Sequence, residues 1–448
     1  MKSQHIKQQL YILTFLSGLL FSYHTQAQQQ KLSLDDAITL AKSSNKDIKV
    51  SALEVEKSKQ QRVISRSLFL PTVNAQAAAN HYFQLPAFFG FGEGTEKGKV
   101  PYGRFGGDDQ LAASVVAVQP LYNPQAYTTL RRARLQQGEQ EANAGATQLA
   151  VLAAVKQTYL TILVLNERIR LQQESITRNK RVLQDARSLF AQGKALRVDT
   201  LRAFTSVKNL EPTLTQLLFA VETQTLHLKT YIGFDSLQNI SLTDSLTVPA
   251  PETTPDEMTI YNTARQNNPE YKALSLREDI GKESIKIASS SRKPVVSAVA
   301  QYQVQSQTNQ FNYGQAYYPT SSYVGLQLTV PLFAGFSNQA RTKQAVFSQE
   351  QTTLVRRHAE EQLHAIVHED VAKSQESVER LKNTALVRET AQVSYTIIQY
   401  RYKNGIASRL ELTDAELALS TSQANYLEAV YDYLSARIEL DKLMGVAF

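Results

Sequence analysis

Two stretches of the chain alternate apolar and polar residues with a period of two. In VVSAVAQYQVQ (Val295–Gln305), Val296, Ala298, Ala300, Tyr302 and Val304 share one face, and Ser297, Gln301, Gln303 and Gln305 share the other. In YVGLQLTVPLF (Tyr323–Phe333), Val324, Leu326, Leu328, Val330 and Leu332 oppose Gly325, Gln327 and Thr329. VNAQAAANHYF (73–83) and LAASVVAVQPL (111–121) are less regular but comparable. Alternation over about ten residues predicts strands with one greasy and one polar face. The same length suits a tilted transmembrane strand. An ordinary hairpin packed on the chain's own helices fits the pattern too.

A long helical run follows each strand pair. After Pro124 no proline occurs up to Ala191, and Ser337 to Asn404 also lacks one. Both runs are rich in Ala, Gln, Leu, Lys, Arg and Glu, mostly good helix formers. Each predicts a helix on the order of 100 Å long at about 1.5 Å per residue. A glycine then turns the chain, and a second long helix returns to Tyr231 or Leu443. Pro212 predicts a bend in the first return helix; its counterpart is Ala424. Each set opens with a short helical pattern and a longer one. Ser33 is placed to cap the first, with Asp35 and Asp36 favouring its positive end.

The chain therefore repeats itself. LFAQGKALRVDTLRAF and RYKNGIASRLELTDAE align with Gly193 on Gly405, each followed by Ala at two, Arg at four, a carboxylate at six and Ala at ten. YIGF near Gly233 matches LMGV near Gly445, and QPLYNPQA near Pro120 matches VPLFAGFSNQA near Pro331. The chain reads as two copies of one unit, about 32–234 and 258–446, with a Pro-, Ser- and Thr-rich linker at about 235–257.

Composition narrows the class. Lys2 and Lys7, the apolar run Leu10–Phe21 and the small residues around Ala27 predict a signal peptide over 1–27, with 28–448 exported. The formal charge of +7 then falls to +5, and a mildly basic exported protein has little reason to meet nucleic acid. There is no cysteine, which excludes disulfides, thiolate chemistry and a lipid anchor on an N-terminal Cys. The most apolar later stretch, Leu149–Leu165, carries Lys156 and Gln157 at its centre, which argues against a membrane helix. Four strands cannot close a barrel alone, and a lipid-facing sheet edge leaves backbone groups unpaired. Either the sheet is soluble, or several chains share one barrel.

Taken in order, the duplication, the strand pair before each long helix, the prolines of Pro120-Leu121-Tyr122 and Pro331-Leu332-Phe333, and the paired glycine tips resemble the TolC-like outer-membrane efflux family. The likeness covers essentially the whole mature chain, and YRYKNGIASRLELTDAE is its most specific segment. It implies a mixed α/β membrane protein. Long antiparallel helical hairpins would form a periplasmic α-barrel, and four strands per chain would join a shared twelve-stranded β-barrel in a homotrimer. It also implies a passive outer-membrane conduit without cofactors, working with a periplasmic adaptor (a membrane fusion protein) and an inner-membrane pump. The alternative is a soluble periplasmic coiled-coil adaptor or scaffold.

The resemblance further implies that the turns at Gly193 and Gly405 are the periplasmic tips. Glu411 and Asp414 match the family's acidic aperture ring, and Tyr402 and Asp199 match its closing contacts. The family's basic residue two positions past the second glycine is Ala407 here; Arg409, mirrored by Arg197, is the nearest substitute. Ser408-x-x-Glu411 is equally a capping box. Three other features carry no chemistry. GEGTEKGK (Gly92–Lys99) lacks the pattern of a phosphate loop and reads as an extracellular loop. His364 and His368 lie one turn apart but lack the zincin glutamate, and read as a solvated face. No nucleophile and base pair suggests an enzyme.

Overall fold

A computed structural model describes residues 30–90, 100–235, 238–250, 254–309 and 313–446. The expected signal peptide and the GEGTEKGK loop lie outside the described residues.

One element order occurs twice. The first set is β1 (Gln30–Leu32), α1 (Leu34–Ser44), α2 (Lys46–Ser67), β2 (Thr72–His81), the short pair β3 (Phe88–Phe89) and β4 (Tyr102–Gly103), β5 (Asp109–Tyr122), α3 (Pro124–Ala191) and α4 (Arg197–Ile232). The second is β6 (Ile240–Leu242), α5 (Glu257–Asn267), α6 (Pro269–Ser290), β7 (Val295–Thr308), β8 (Thr320–Thr329), α7 (Ser337–Lys403) and α8 (Arg409–Leu443). The helix ends have local causes. Asn123 Oδ1 accepts from the backbone N–H of Gln125 at 3.1 Å and of Ala126 at 3.3 Å, and Pro124 fills the first helical position. Ser33 and Asp36 form the capping box of α1. α4 continues through Pro212 as one helix.

The residues gather into two compact units, and each unit takes material from both sets. Of the described residues, one holds 30–49 and those of 147–268 and 365–446; the other holds those of 50–146 and 269–364.

In the first unit, β1 pairs in parallel with β6. The apolar run of α3 supplies the core here: Val151, Leu152, Val155, Tyr159 and Ile162 pack with Leu32, Ile38, Leu228 and Ile232. The longest apolar stretch is thus spent on packing, in line with its central lysine. Tyr159 Oη lies 3.0 Å from the Leu32 carbonyl and 2.9 Å from Asp244 Oδ2, which also accepts from Leu34 N at 2.9 Å. Burial, seconded by Asp244, holds the Tyr159 phenol well above its usual range.

The segment between the sets is therefore no free linker. It carries β6 and Asp244, and its Leu246 and Val248 pack against Leu381, Val430 and Tyr433. The same joint is built twice. Asn45 Nδ2 donates to the Tyr231 carbonyl at 2.7 Å, and Asn268 Nδ2 to that of Leu443 at 3.0 Å. Beside each, a glycine at positive φ lies against backbone: a Cβ on Gly233 would come within 2.5 Å of Ser44 O, and one on Gly445 within 2.8 Å of Asn267 O. Only glycine fits both the turn and the contact.

The second unit holds a four-stranded antiparallel sheet in the order β2-β5-β7-β8. The second strand of the later pair ends at Thr329, short of the expected Phe333. Pro331 cannot donate to a ladder, and Gly335 and Phe336, both at positive φ, then turn the chain into α7. Pro120 stays inside β5 because the register shifts between Pro120 and Tyr122.

Candidate functional site

The sheet sorts its side chains by face across all four strands. One rung joins Val73, Ala117, Ala300 and Val324, all apolar. Three residues along, on the opposite face, Gln76, Ser114, Gln303 and Ser321 form a polar rung. The polar face is tied by amides: Gln301 Nε2 donates to Gln303 Oε1 at 3.0 Å, and Tyr323 Oη to Gln301 Oε1 at 3.1 Å. The apolar face is not packed against the chain. Val324, Leu326 and Leu328 are 84%, 75% and 64% exposed. A soluble hairpin of this pattern would bury that stripe, so the arrangement defines a sheet with a lipid-facing side. β2 and β8, at its ends, each pair on one side only among the described residues.

At the tips, Gly193 and Gly405 have φ of 72° and 73°. Lys194 N donates to Leu189 O at 2.9 Å, and Ile406 N to Arg401 O at 2.8 Å, closing each long helix with the same left-handed cap. Beyond each turn an acid sits at the third position of the returning helix. Asp199 Oδ2 accepts from Leu196 N at 3.2 Å, and Glu411 Oε2 from Ser408 N at 2.6 Å. Glu411 N in turn donates to Ser408 Oγ at 3.2 Å. The Ser408 backbone N–H, then its hydroxyl, holds the Glu411 carboxyl below the usual carboxylate range. Within one chain Asp199 and Glu411 thus act as helix caps. Asp414 is exposed and has no partner among the described residues. Tyr402 packs, half-buried, against Tyr395, Leu412 and Leu419, and no hydrogen bond joins it to Asp199 in the chain. Arg197 is exposed; Arg409 is half-buried, with a buried Nη1 that finds no partner among the described residues.

The strongest polar contact near the tips was not visible in the sequence reading. Arg178 Nε on α3 lies 2.9 and 3.0 Å from the two carboxylate oxygens of Glu416 on α8. Ser175 Oγ donates to Glu416 Oε1 at 3.0 Å, and the guanidinium sits 5.8 Å from the Tyr395 ring centre. Burial, then the Glu416 charge, pushes the Tyr395 phenol upward. The pair joins the first hairpin to the second. One clue lay in the repeat: the counterpart of Glu416 is Phe204 and that of Arg178 is Thr390, so the copies differ where the contact forms. His368 Nδ1 lies 3.2 Å from Glu257 Oε2, and no metal-holding cluster occurs among the described residues.

The chain thus combines a sheet that exposes one apolar side with two long helical hairpins. Comparison with known proteins agrees. The chain is 23% identical to the alkaline protease secretion protein AprF of Pseudomonas aeruginosa over 93% of its length and 85% of that protein's. It is 21% identical to the outer membrane protein TolC of Vibrio cholerae, covering 75% of this chain and 77% of that one. Its fold superposes on the Campylobacter jejuni CmeC outer membrane channel with a TM-score of 0.77 at 15% identity, covering 92% of this chain and 85% of that one. The outer membrane efflux protein family matches residues 37–233 and 260–446, and the chain belongs to it. Members of this family are outer-membrane channels and not enzymes.

Proposed function

We propose that three copies of the chain close a twelve-stranded barrel and form a passive export conduit, fed by an inner-membrane pump through a periplasmic adaptor. The observation that carries this reading is the exposed apolar stripe on a sheet with two open edges. β2 and β8 run in opposite directions, so β8 of one copy can pair antiparallel with β2 of the next. Closure satisfies every edge N–H and C=O, which lipid demands. The native mass of the mature protein, extracted from outer membranes in mild detergent, is expected to be that of a trimer. A monomer in the soluble periplasmic fraction would overturn the reading in favour of an adaptor.

Glu411 and Asp414 are the proposed aperture acids, with Tyr402, Asp199, Arg409 and Arg197 as contacts between tips. In a trimer the two acids place six carboxylates about one axis, where they attract cations and oppose closure. Glu411 is occupied as a cap, so Asp414 is the freer charge. Asp414→Ala is expected to lower cation preference in bilayer recordings more than Glu411→Ala. Unchanged selectivity in both variants would remove the two acids from the aperture.

A further inference from the structure

Where α2 leads into β2 and α3 begins, the second unit holds an open cavity of about 1210 Å3 that the channel reading does not use. Arg62 and Arg66 line it from α2, and Arg131 and Arg134 from α3. Arg131 Nε lies 3.3 Å from Glu283 Oε1, a buried carboxylate already 2.8 Å from Lys286 Nζ. The guanidiniums of Arg62, Arg66 and Arg134 have no hydrogen-bond or ion-pair partner among the described residues. Guanidiniums do not lose their protons, so the cavity concentrates positive charge with one shared carboxylate to offset it. An anion completes it.

The walls say which anion. Val63, Leu70 and Tyr127 line the same cavity and are exposed. The Tyr127 ring meets Phe69 edge-on at 4.8 Å, and the Phe69 carbonyl accepts from Gln119 Nε2 at 2.9 Å. Gln119 follows Val115 and Ala117 on the apolar face of β5, and three residues after Leu70 that face begins on β2 with Val73. The cavity thus adjoins the end of the lipid-facing stripe, where hydrocarbon gives way to headgroups. Tyrosine and arginine beside apolar surface suit that boundary.

We propose that this cavity binds the phosphodiester headgroup of an anionic phospholipid in the periplasmic leaflet. The guanidiniums of Arg62, Arg66 and Arg134 hold the phosphate, and Leu70 and Tyr127 lie against the glycerol and first acyl carbons. The inference rests on the outer-membrane placement of the sheet.

The test titrates short-chain phosphatidylglycerol into the purified full-length mature protein in mild detergent. The Arg62→Gln, Arg66→Gln, Arg134→Gln triple variant is expected to bind about a hundredfold more weakly, at about fivefold for each charge removed near a headgroup surface. Inorganic phosphate is expected not to displace the lipid, and phosphatidylcholine of equal chain length is expected to bind more weakly. Undiminished binding by the triple variant, displacement by equimolar inorganic phosphate, or equal binding of phosphatidylcholine would each overturn the site. Should the triple variant fail to assemble, Arg134→Gln alone is expected to weaken binding about fivefold, and no change would overturn it. Native mass of the wild type, read in parallel, separates a failure of this site from a failure of the trimeric conduit.

Discussion

Glu416→Ala is expected to lower the thermal stability of the protein and to raise its conductance in a planar bilayer. Arg178 and Glu416 are 17% and 13% exposed, so neither charge is well solvated. Removing the carboxylate leaves a guanidinium that cannot deprotonate, with Ser175 Oγ also robbed of its acceptor. Breaking a fully buried pair costs about 3–5 kcal/mol. Partial exposure, with Glu174 Oε2 3.9 Å from Arg178 Nη1, reduces this to about 2–3 kcal/mol here, because water and that carboxylate take up part of the charge. Arg178 Nη2 is already buried without a partner among the described residues, so little slack exists for a new arrangement. The conductance follows from the proposed conduit: the pair ties α3 of the first hairpin to α8 of the second, and opening a tip aperture requires hairpins to part. Arg178→Lys separates charge from geometry, since an ammonium keeps the charge and loses the fork. Its expected loss is smaller than that of Glu416→Ala but measurable. A joint Arg178→Met, Glu416→Leu variant is expected to recover stability while leaving conductance high, because apolar replacement removes the desolvation cost without restoring the tie. Unchanged melting and conductance in Glu416→Ala would show the contact to be a passive surface pair.

The contrast between Glu411 and Glu416 shows what the sequence could reveal. Glu411 lies three residues from its partner, so its capping role was legible as Ser408-x-x-Glu411. Glu416 meets a residue 238 positions away, and no local pattern announces such a meeting. The same division runs through the fold. α3 starts and ends at the residues expected, because Asn123, Pro124 and Gly193 act within one turn of the helix. β1 and β6 are three residues each and pair across the length of the first set, so periodicity had nothing to detect. The linker is legible as Pro-, Ser- and Thr-rich, but Asp244 fastens it to Tyr159 and Leu34 through contacts that composition does not encode. Alternation continues through Val330 and Leu332 and predicts β8 to Phe333, while the missing N–H of Pro331 decides that pairing stops at Thr329. Tyr402 and Asp199 match by resemblance two positions of contacts between neighbouring tips, and no bond joins the two residues to each other among the described residues.

Val324→Arg is expected to abolish assembly in the outer membrane, whereas Ser321→Arg is expected to leave it intact. Val324 lies near the middle of the ten-residue β8 and is 84% exposed. Its rung, with Val73, Ala117 and Ala300, is apolar across the sheet and offers no carboxylate to receive the guanidinium. An arginine on the lipid face near the bilayer midplane costs about 2–4 kcal/mol. In the proposed trimer the substitution enters three times, and about 6–12 kcal/mol is comparable to the whole stability of a typical domain. Ser321 lies on the opposite face, on the rung of Gln76, Ser114 and Gln303, where water and amides can solvate the charge. There the substitution is expected to change conductance and ion preference while the trimer persists. Outer-membrane fractionation with native mass reads both variants. Equal assembly of the two would show that neither face meets lipid, and loss confined to Ser321→Arg would show that the faces are reversed. Because β-strand side chains alternate strictly, these two positions, three residues apart, also fix the register: a slip of one residue would exchange their phenotypes.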